Sequence, residues 1–232
     1  MSAIITGASK GLGNYLAGFL AEKGHDLHLI ARSESLLSEL KLSLEAKHKV
    51  EVFIYPCDFN DENQLIQLSK RLAELNPIDL LINNVGAFEF GGLQDSSLDQ
   101  LNKMLNINLK AAFLISKAVI PLYHKAQKGH IFNIGIIVTE VPRADVAAYT
   151  ISKFALNGFT KVLREELRPH KVKVTEFIPG SINTSSWEGV EDVPKNDFVQ
   201  PKDIAFALWN CYQNTGASNI EEMVIRPLNK SF

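Results

Sequence analysis

Tyr149 and Lys153 stand four residues apart in a segment whose apolar spacing predicts a helix over Tyr149–Arg168, so their side chains share one face, a turn apart. An ammonium beside a phenol favours the phenolate and lowers the tyrosine pKa from about 10 toward the working range of a general acid or base. The pair is a candidate general acid/base, although the same spacing arises by chance in many helices. A second group of residues suits an anion. The run Thr6-Gly7-Ala8-Ser9-Lys10-Gly11-Leu12-Gly13 follows a short apolar strand and opens a helix. Residues without a Cβ let the backbone approach a pyrophosphate, and the start of the helix supplies oriented N–H donors. The spacing is Gly-x-x-x-Gly-x-Gly, and a tight turn that binds nothing is the plain alternative.

Three further stretches are placed in order: Asn83-Asn84-Val85-Gly86 after the fourth predicted strand, Tyr149-x-x-x-Lys153, and Pro179-Gly180 after the sixth. With the glycine-rich turn they resemble the short-chain dehydrogenase/reductase family, over roughly residues 3 to 226. The resemblance implies an oxidoreductase that interconverts a carbonyl and an alcohol on a small molecule by hydride transfer from or to a nicotinamide cofactor. It implies Tyr149 as general acid/base, Lys153 as its partner and a ligand of the nicotinamide ribose, and Asn108 as the holder of a water on a proton-relay path, with Asn106 as the alternative assignment. The cofactor residues it carries over are Gly7, Ser9, Lys10, Gly11, Leu12, Gly13, Arg32, Asp58, Asn83, Gly86, Tyr149, Lys153, Pro179, Gly180 and Thr184. Among them Asp58 resembles the residue that meets the adenine amino group, and Asn83 the one that steadies the central strand and cofactor loop. Thr184 resembles the hydroxyl on the nicotinamide carboxamide; a helix N-cap shared with Asn183 is its other reading.

Charge bears on which cofactor is expected. A carboxylate ending the second strand of such a fold accepts hydrogen bonds from the adenosine ribose, whereas an arginine there accommodates a 2′-phosphate. Here the sequence reads Ala31-Arg32-Ser33, and Lys10 adds a second cation before the second glycine. NADP(H) is expected in preference to NAD(H), the bland alternative being two ordinary solvated charges.

One position breaks the pattern. The family places a serine that hydrogen-bonds the substrate oxygen about thirteen residues before the tyrosine, and that position is Ile136, in Asn133-Ile134-Gly135-Ile136-Ile137. An isoleucine side chain neither donates nor accepts. Thr139 lies only ten residues before Tyr149, and Ser181 belongs to another strand end. Losing one preorganised donor to a reacting oxygen costs on the order of 10²–10³ in rate. Three readings stay open: a slow or unusual reductase, an NADP(H)-binding sensor or scaffold with weak or no turnover, and an engineered or erroneous residue at 136.

These residues must be carried by a framework. Short apolar runs at Ala3–Thr6, Asp26–Ala31, Val50–Pro56, Leu80–Asn83, His130–Gly135, Lys173–Ile178 and Glu222–Ile225 alternate with helical spacing at Leu12–Lys23, Ser35–Lys47, Glu62–Leu75, Leu98–Leu105, Leu109–Lys128, Tyr149–Arg168 and Lys202–Gln213. That alternation predicts an α/β fold: a Rossmann-type doubly wound parallel sheet of about seven strands in one domain over 1–232, helices on both faces. The stretch Ser181–Gln200 lacks periodicity and follows the sixth strand, so it reads as a substrate or lid loop, made apolar by Trp187 and Phe198. By resemblance, the helices Leu109–Lys128 and Tyr149–Arg168 would build a homodimer or homotetramer, with Phe113, Val119, Phe154 and Phe159 divided between core and contact.

Composition narrows the remainder. The 232 residues are 46% hydrophobic with 24 basic against 26 acidic side chains, which suits one sizeable core and argues against disorder or a nucleic-acid partner. Cys57 and Cys211, in a predicted strand and a predicted helix, read as buried thiols in a reducing compartment. The N-terminal run lacks the marks of a signal peptide and no apolar stretch approaches a bilayer span, so a cytoplasmic protein is expected, without a membrane partner. His25, His28, His48, His124, His130 and His170 show no metal-ligand spacing and read as surface or partly buried polar groups, and no Gly-x-Ser-x-Gly elbow is present.

Overall fold

Alternation along the strands decides how the sheet is covered. In β1 (Ser2–Thr6) Ala3 and Ile5 face one side and Ile4 the other, all fully buried. In β4 (Leu80–Asn83) Leu80 and Ile82 join the first side and Leu81 the second. The first side is packed by α1 (Gly11–Glu22), α2 (Glu34–Lys47) and α7 (Pro201–Gln213), through Leu16, Leu20, Leu37 and Leu208. The second is packed by α3 (Glu62–Ala73), α5 (Ala111–Ala126) and α6 (Ala147–Leu167), through Leu68, Ile115 and Leu163. Strands covered on both faces must be apolar throughout, which is why the sequence shows runs and not alternation. The computed structural model describes residues 1–187 and 195–229.

With β2 (Asp26–Ala31), β3 (Val52–Pro56), β5 (Gly129–Ile134), β6 (Val172–Pro179) and β7 (Glu222–Ile225), the strands form one sheet in the order β3-β2-β1-β4-β5-β6-β7, every pairing parallel. The chain winds outward from β1 in one direction and from β4 in the other. A crevice opens where the two directions part, above the carboxyl ends of β1 and β4, which is where open α/β sheets take ligands. Gly7 leaves the end of β1 and Asn84 the end of β4, so both line this crevice.

The helix boundaries follow local chemistry. Ser33 and Asp61 cap α2 and α3 by accepting from Leu36 N and from Asn63 N and Gln64 N, and Gly24 follows the Lys23 cap of α1 at φ +78°. The expected break between Leu98–Leu105 and Leu109–Lys128 is a different object. The α4 helix (Leu98–Leu105) runs into α5 through a π-turn at Asn106–Lys110, giving one helical run from Leu98 to Ala126. By length and composition this run could cross a bilayer, but its apolar side here lies on the sheet and α3.

Other expectations need correction. Cys57 lies one residue beyond β3, though it and Cys211 are buried free thiols as anticipated. His25, His28 and His130 are fully or almost fully buried, and burial holds their pKa values below the ordinary range, to about 4 at His28. Val119 belongs to the core, whereas Phe113 and Phe154 stand exposed and Phe159 is half-buried against Phe113. Part of the expected lid, residues 188–194, lies outside the described residues. In its described part, Trp187 packs on Phe198, ring centres 5.0 Å apart, and Phe198 is buried.

Candidate active site at the carboxyl edge of the sheet

The glycine-rich turn is fixed by steric necessity. Gly7 and Gly11 adopt φ +68° and +56°, conformations that a side chain resists. A Cβ on Gly13 would lie 2.3 Å from the Gly7 carbonyl oxygen, so only glycine lets the helix start pack on the turn. The turn is tied to β4 by Asn84, whose Nδ2 donates to the Thr6 carbonyl at 2.9 Å, while Thr6 Oγ1 accepts from Asn84 N and Val85 N, both at 3.0 Å. Leu12 anchors the first turn of α1 in the core, Ser9 is half-buried, and Lys10 precedes the helix without a side-chain cap. No carboxylate stands in that first turn. The initial N–H groups of α1, with the positive end of its dipole, therefore face an anion-compatible mouth.

Of the two parts expected of Asn83, steadying the central strand is its own and holding the cofactor loop is not. Its Nδ2 donates to Asn133 Oδ1 at 2.8 Å and to Ser116 Oγ at 3.1 Å, so it ties β4 to β5 and α5, and the bond to the glycine turn belongs to its neighbour Asn84. Successive strand residues point to opposite faces, so the Asn-Asn doublet divides the two tasks.

Arg32 and Lys10 are exposed at the ends of β2 and of the glycine turn. Asp58 follows Cys57, whose N–H bonds the Ala31 carbonyl at 3.0 Å, so it stands beside the end of β2; its Oδ1 accepts from Asn60 N. Across the crevice, Pro179 ends β6, and a Cβ on Gly180 would lie 2.6 Å from Pro227 Cδ. Thr184 approaches Gly11, its Cβ 3.3 Å from where a side chain on Gly11 would begin. A one-turn helix, Ser185–Trp187, starts directly after Thr184, and the Asn183 side chain donates to Gln200 Oε1 at 3.1 Å. Between the two walls lies a cleft of about 440 Å³ lined by Gly11, Asn14, Thr184, Ser185 and Lys195.

Lys153 and Asn108 come together beside Gly86, and Tyr149, one turn before Lys153 on α6, packs in a cluster with the neighbouring Ala87. A Cβ on Gly86 would lie 3.5 Å from Asn108 Oδ1 and 3.7 Å from Lys153 Nζ. The π-turn aims Asn108 inward, where Oδ1 accepts from Ala87 N at 2.8 Å and Nδ2 donates to Ala87 O at 3.0 Å and to Ser152 Oγ at 2.8 Å. Ser152 in turn donates to the Tyr149 carbonyl at 2.7 Å, so the strand-end loop and α6 are locked to one another. Asn106, the other candidate, faces away and bonds Asn60. Lys153, buried, donates to the Ile134 carbonyl at 3.0 Å, and burial draws its pKa down to about 8. The expected lowering of the Tyr149 pKa is not what the site produces: desolvation dominates and raises it above the usual phenol range.

Ile136 follows β5 in extended backbone and packs with Met104, Val138, Val146, Ala148 and Tyr149. Thr139 donates its hydroxyl to the Ile136 carbonyl at 3.0 Å, so the hydroxyl nearest in sequence is turned to the backbone. Phe88, from the loop after β4, meets the Tyr149 ring edge-on with centres 5.0 Å apart. The wall around Tyr149 is thus apolar. Asn84, Ser152, Lys195 and Phe88 were not singled out by the sequence; the Asn-Asn doublet was the one visible hint among them.

The model of the family described as short chain dehydrogenase matches residues 1–194. Sepiapterin reductase of Chlorobaculum tepidum is 28% identical over 232 residues, covering 97% of this chain and 95% of that protein. A metagenomic short-chain oxidoreductase solved with NADP superimposes with a TM-score of 0.84 at 31% identity, covering 99% of this chain and 98% of the other. A short-chain dehydrogenase from Sphingobium yanoikuyae, solved with NADPH, gives 0.87 at 27% identity, with 99% and 88% covered. A family model that takes in every element from β1 to β6, and a fold shared along nearly the whole chain, make this protein a member of the short-chain dehydrogenase/reductase family of oxidoreductases.

Proposed function

We propose that this protein is an NADP(H)-dependent reductase or alcohol dehydrogenase that interconverts a carbonyl and an alcohol on a small apolar substrate, with Tyr149 as general acid/base. The observation that carries the reading is the approach of Lys153 and Asn108 to Gly86, with Tyr149 one turn before Lys153 on α6 in an apolar cluster that takes in the neighbouring Ala87, at the carboxyl edge of the sheet. The glycine cradle that a Cβ would fill and the uncapped start of α1 fit a dinucleotide. In this reading Gly7, Ser9, Gly11, Leu12 and Gly13 hold the pyrophosphate, Lys10 and Arg32 a 2′-phosphate, and Asp58 the adenine. Tyr149 and Lys153 meet the nicotinamide ribose, and Pro179, Gly180 and Thr184 the carboxamide, with Gly86 leaving room beside them.

When bound, the nicotinamide supplies the hydride for reduction. Tyr149 gives its phenolic proton to the carbonyl oxygen as the carbon is reduced, and burial that keeps the phenol protonated suits this direction. The Lys153 ammonium stabilises the phenolate left behind, and the proton is restored past Lys153 from the Asn108 side. The test is a titration with NADPH and NADH, with turnover on a panel of ketones and aldehydes, for the native protein and Tyr149→Phe. The variant is expected to bind NADPH a few-fold more weakly at most, since the glycine turn and the two cations remain, and to lose turnover at saturating NADPH; ketone reduction at the native rate overturns the acid assignment.

Ile136 favours a second reading, an NADP(H)-binding protein with weak turnover, since the apolar wall withholds the second hydrogen bond to a substrate oxygen. The exposed Phe113, Ile151, Phe154 and Val162 on α5 and α6 support a homodimer or homotetramer, which light scattering tests. The buried thiols Cys57 and Cys211, the first raised to about 11 by burial, accord with a cytoplasmic setting.

A further inference from the structure

β6 carries one carboxylate in an otherwise apolar stretch toward its end, Glu176, and its side chain is fully buried. An apolar residue would avoid the desolvation this entails, so the acid is conspicuous. Its Oε2 accepts from Asn157 Nδ2 on α6 at 2.9 Å, and its Oε1 has no hydrogen-bond partner. Oε1 lies 2.7 Å from where a Cβ on Gly135 would stand, so the carboxyl fills the space that this glycine leaves open at the end of β5. The residue before Gly135 is Ile134, whose carbonyl receives Lys153 Nζ at 3.0 Å. Carboxyl and ammonium therefore flank the same two residues of backbone, both out of contact with bulk water. The charged groups that act on the carboxyl are Arg164 and Lys153 from α6, which attract it, and Glu222 from β7, which repels it. Arg164 already donates to the Val174 and Glu221 carbonyls and pairs with the Glu221 carboxylate. Lys153, among the described residues, has no carboxylate in direct contact.

We propose that Glu176 is a positioning residue for Lys153: its buried carboxyl holds the lysine in the ammonium form at the Ile134 carbonyl, one turn along α6 from Tyr149, and thereby sets the pH range in which the pair can move a proton. The proposal rests on the reading of Tyr149 and Lys153 as the proton-transfer couple. Burial lifts Glu176 to about 7 and lowers Lys153 to about 8, and the attraction between them opposes burial at both. Where Ile136 withholds a donor from the substrate oxygen, the phenolate formed at Tyr149 depends the more on this ammonium.

Lysine Cε labelling followed by NMR reads the titration directly in the cofactor-free protein, with Lys153→Arg identifying the Lys153 signal. In Glu176→Gln the Lys153 midpoint is expected to fall by about one pH unit or more, a tenfold loss in proton affinity. In Asn157→Ala, which removes the donor that favours the Glu176 anion and alters only a half-buried side chain, the midpoint is expected to fall by less. An unchanged or rising midpoint in both variants overturns the proposal, whatever the turnover. A falling midpoint in a protein whose native form reduces no ketone upholds the coupling and tells instead against the catalytic reading.

Discussion

Replacing Ile136 by serine should raise turnover at a modest loss of stability. The backbone at this position is extended, φ −167° and ψ 157°, which serine adopts without strain. The side chain shares its cluster with Tyr149, so on the proposed reading a hydroxyl there would stand close enough to donate to the oxygen that Tyr149 protonates. One preorganised donor is worth about 2.7–4 kcal/mol of transition-state stabilisation, or roughly 10²–10³ in rate. Against this, the change removes three outer carbons from a half-buried site; at ~0.8 kcal/mol per fully buried carbon, that is about 1 kcal/mol. For a domain of this size the melting temperature should fall by about 2–4 °C. The assay is NADPH consumption with the ketone panel, with melting and NADPH titration alongside, and Ile136→Val as the variant that trims the side chain without adding a donor. The valine variant should stay at the native rate. A serine variant that folds, binds NADPH and turns over no faster than the native protein would refute the placement of the substrate oxygen beside residue 136.

Other outcomes follow from the same geometry. Lys10→Ala and Arg32→Ala should each weaken NADPH about three- to tenfold, leave NADH nearly unaffected and reduce the salt dependence of NADPH binding, because both cations are exposed and screened. Equal losses for the two cofactors in isothermal titration would exclude a 2′-phosphate contact. Gly13→Ala places a methyl 2.3 Å from the Gly7 carbonyl oxygen and should abolish nucleotide binding while costing about 1–3 kcal/mol of stability, read by chemical denaturation. Glu176 ionises at about 7 in the folded chain against an ordinary value of 4.5, so the folded form holds a proton that the unfolded form has released between those values. Its contribution is complete below about pH 4.5 and is lost, by about 3 kcal/mol, as the pH rises through 7. In urea denaturation, Glu176→Gln should therefore gain on the native protein between about pH 4.5 and pH 7 and hold a level difference above that; a constant difference across the lower range would show that this carboxyl does not titrate there.

The sheet was legible because its strands are buried on both faces and so write themselves as uninterrupted apolar runs, such as Leu80–Asn83, between capped helices. The glycine turn and the shared helix of Tyr149 and Lys153 were legible for a similar reason: each is local, and the geometry follows from the spacing. What lay hidden depends on contacts between distant segments. The division of labour between Asn83 and Asn84 needs the direction of each side chain at a strand end. The rise in the Tyr149 pKa needs the burial that α6 acquires against the loop after β4 and the segment after β5. Glu176 was visible as a lone acid in an apolar run, but nothing local connects it to Lys153, twenty-three residues earlier.

The π-turn at Asn106–Lys110 has an evolutionary corollary. One residue more than an α-helical turn requires rotates everything on one side of it by about 100° relative to the other, so Asn108 can face Ala87 while Ile115 and Val119 keep facing the sheet. Deleting one residue between 106 and 110 would restore a regular helix, yet would turn either the asparagine or the core stripe out of place. The segment should therefore tolerate substitution of its outward side chains far better than a change in its length, and any gain in helical regularity there would come at the expense of the bonds joining the loop after β4 to α6.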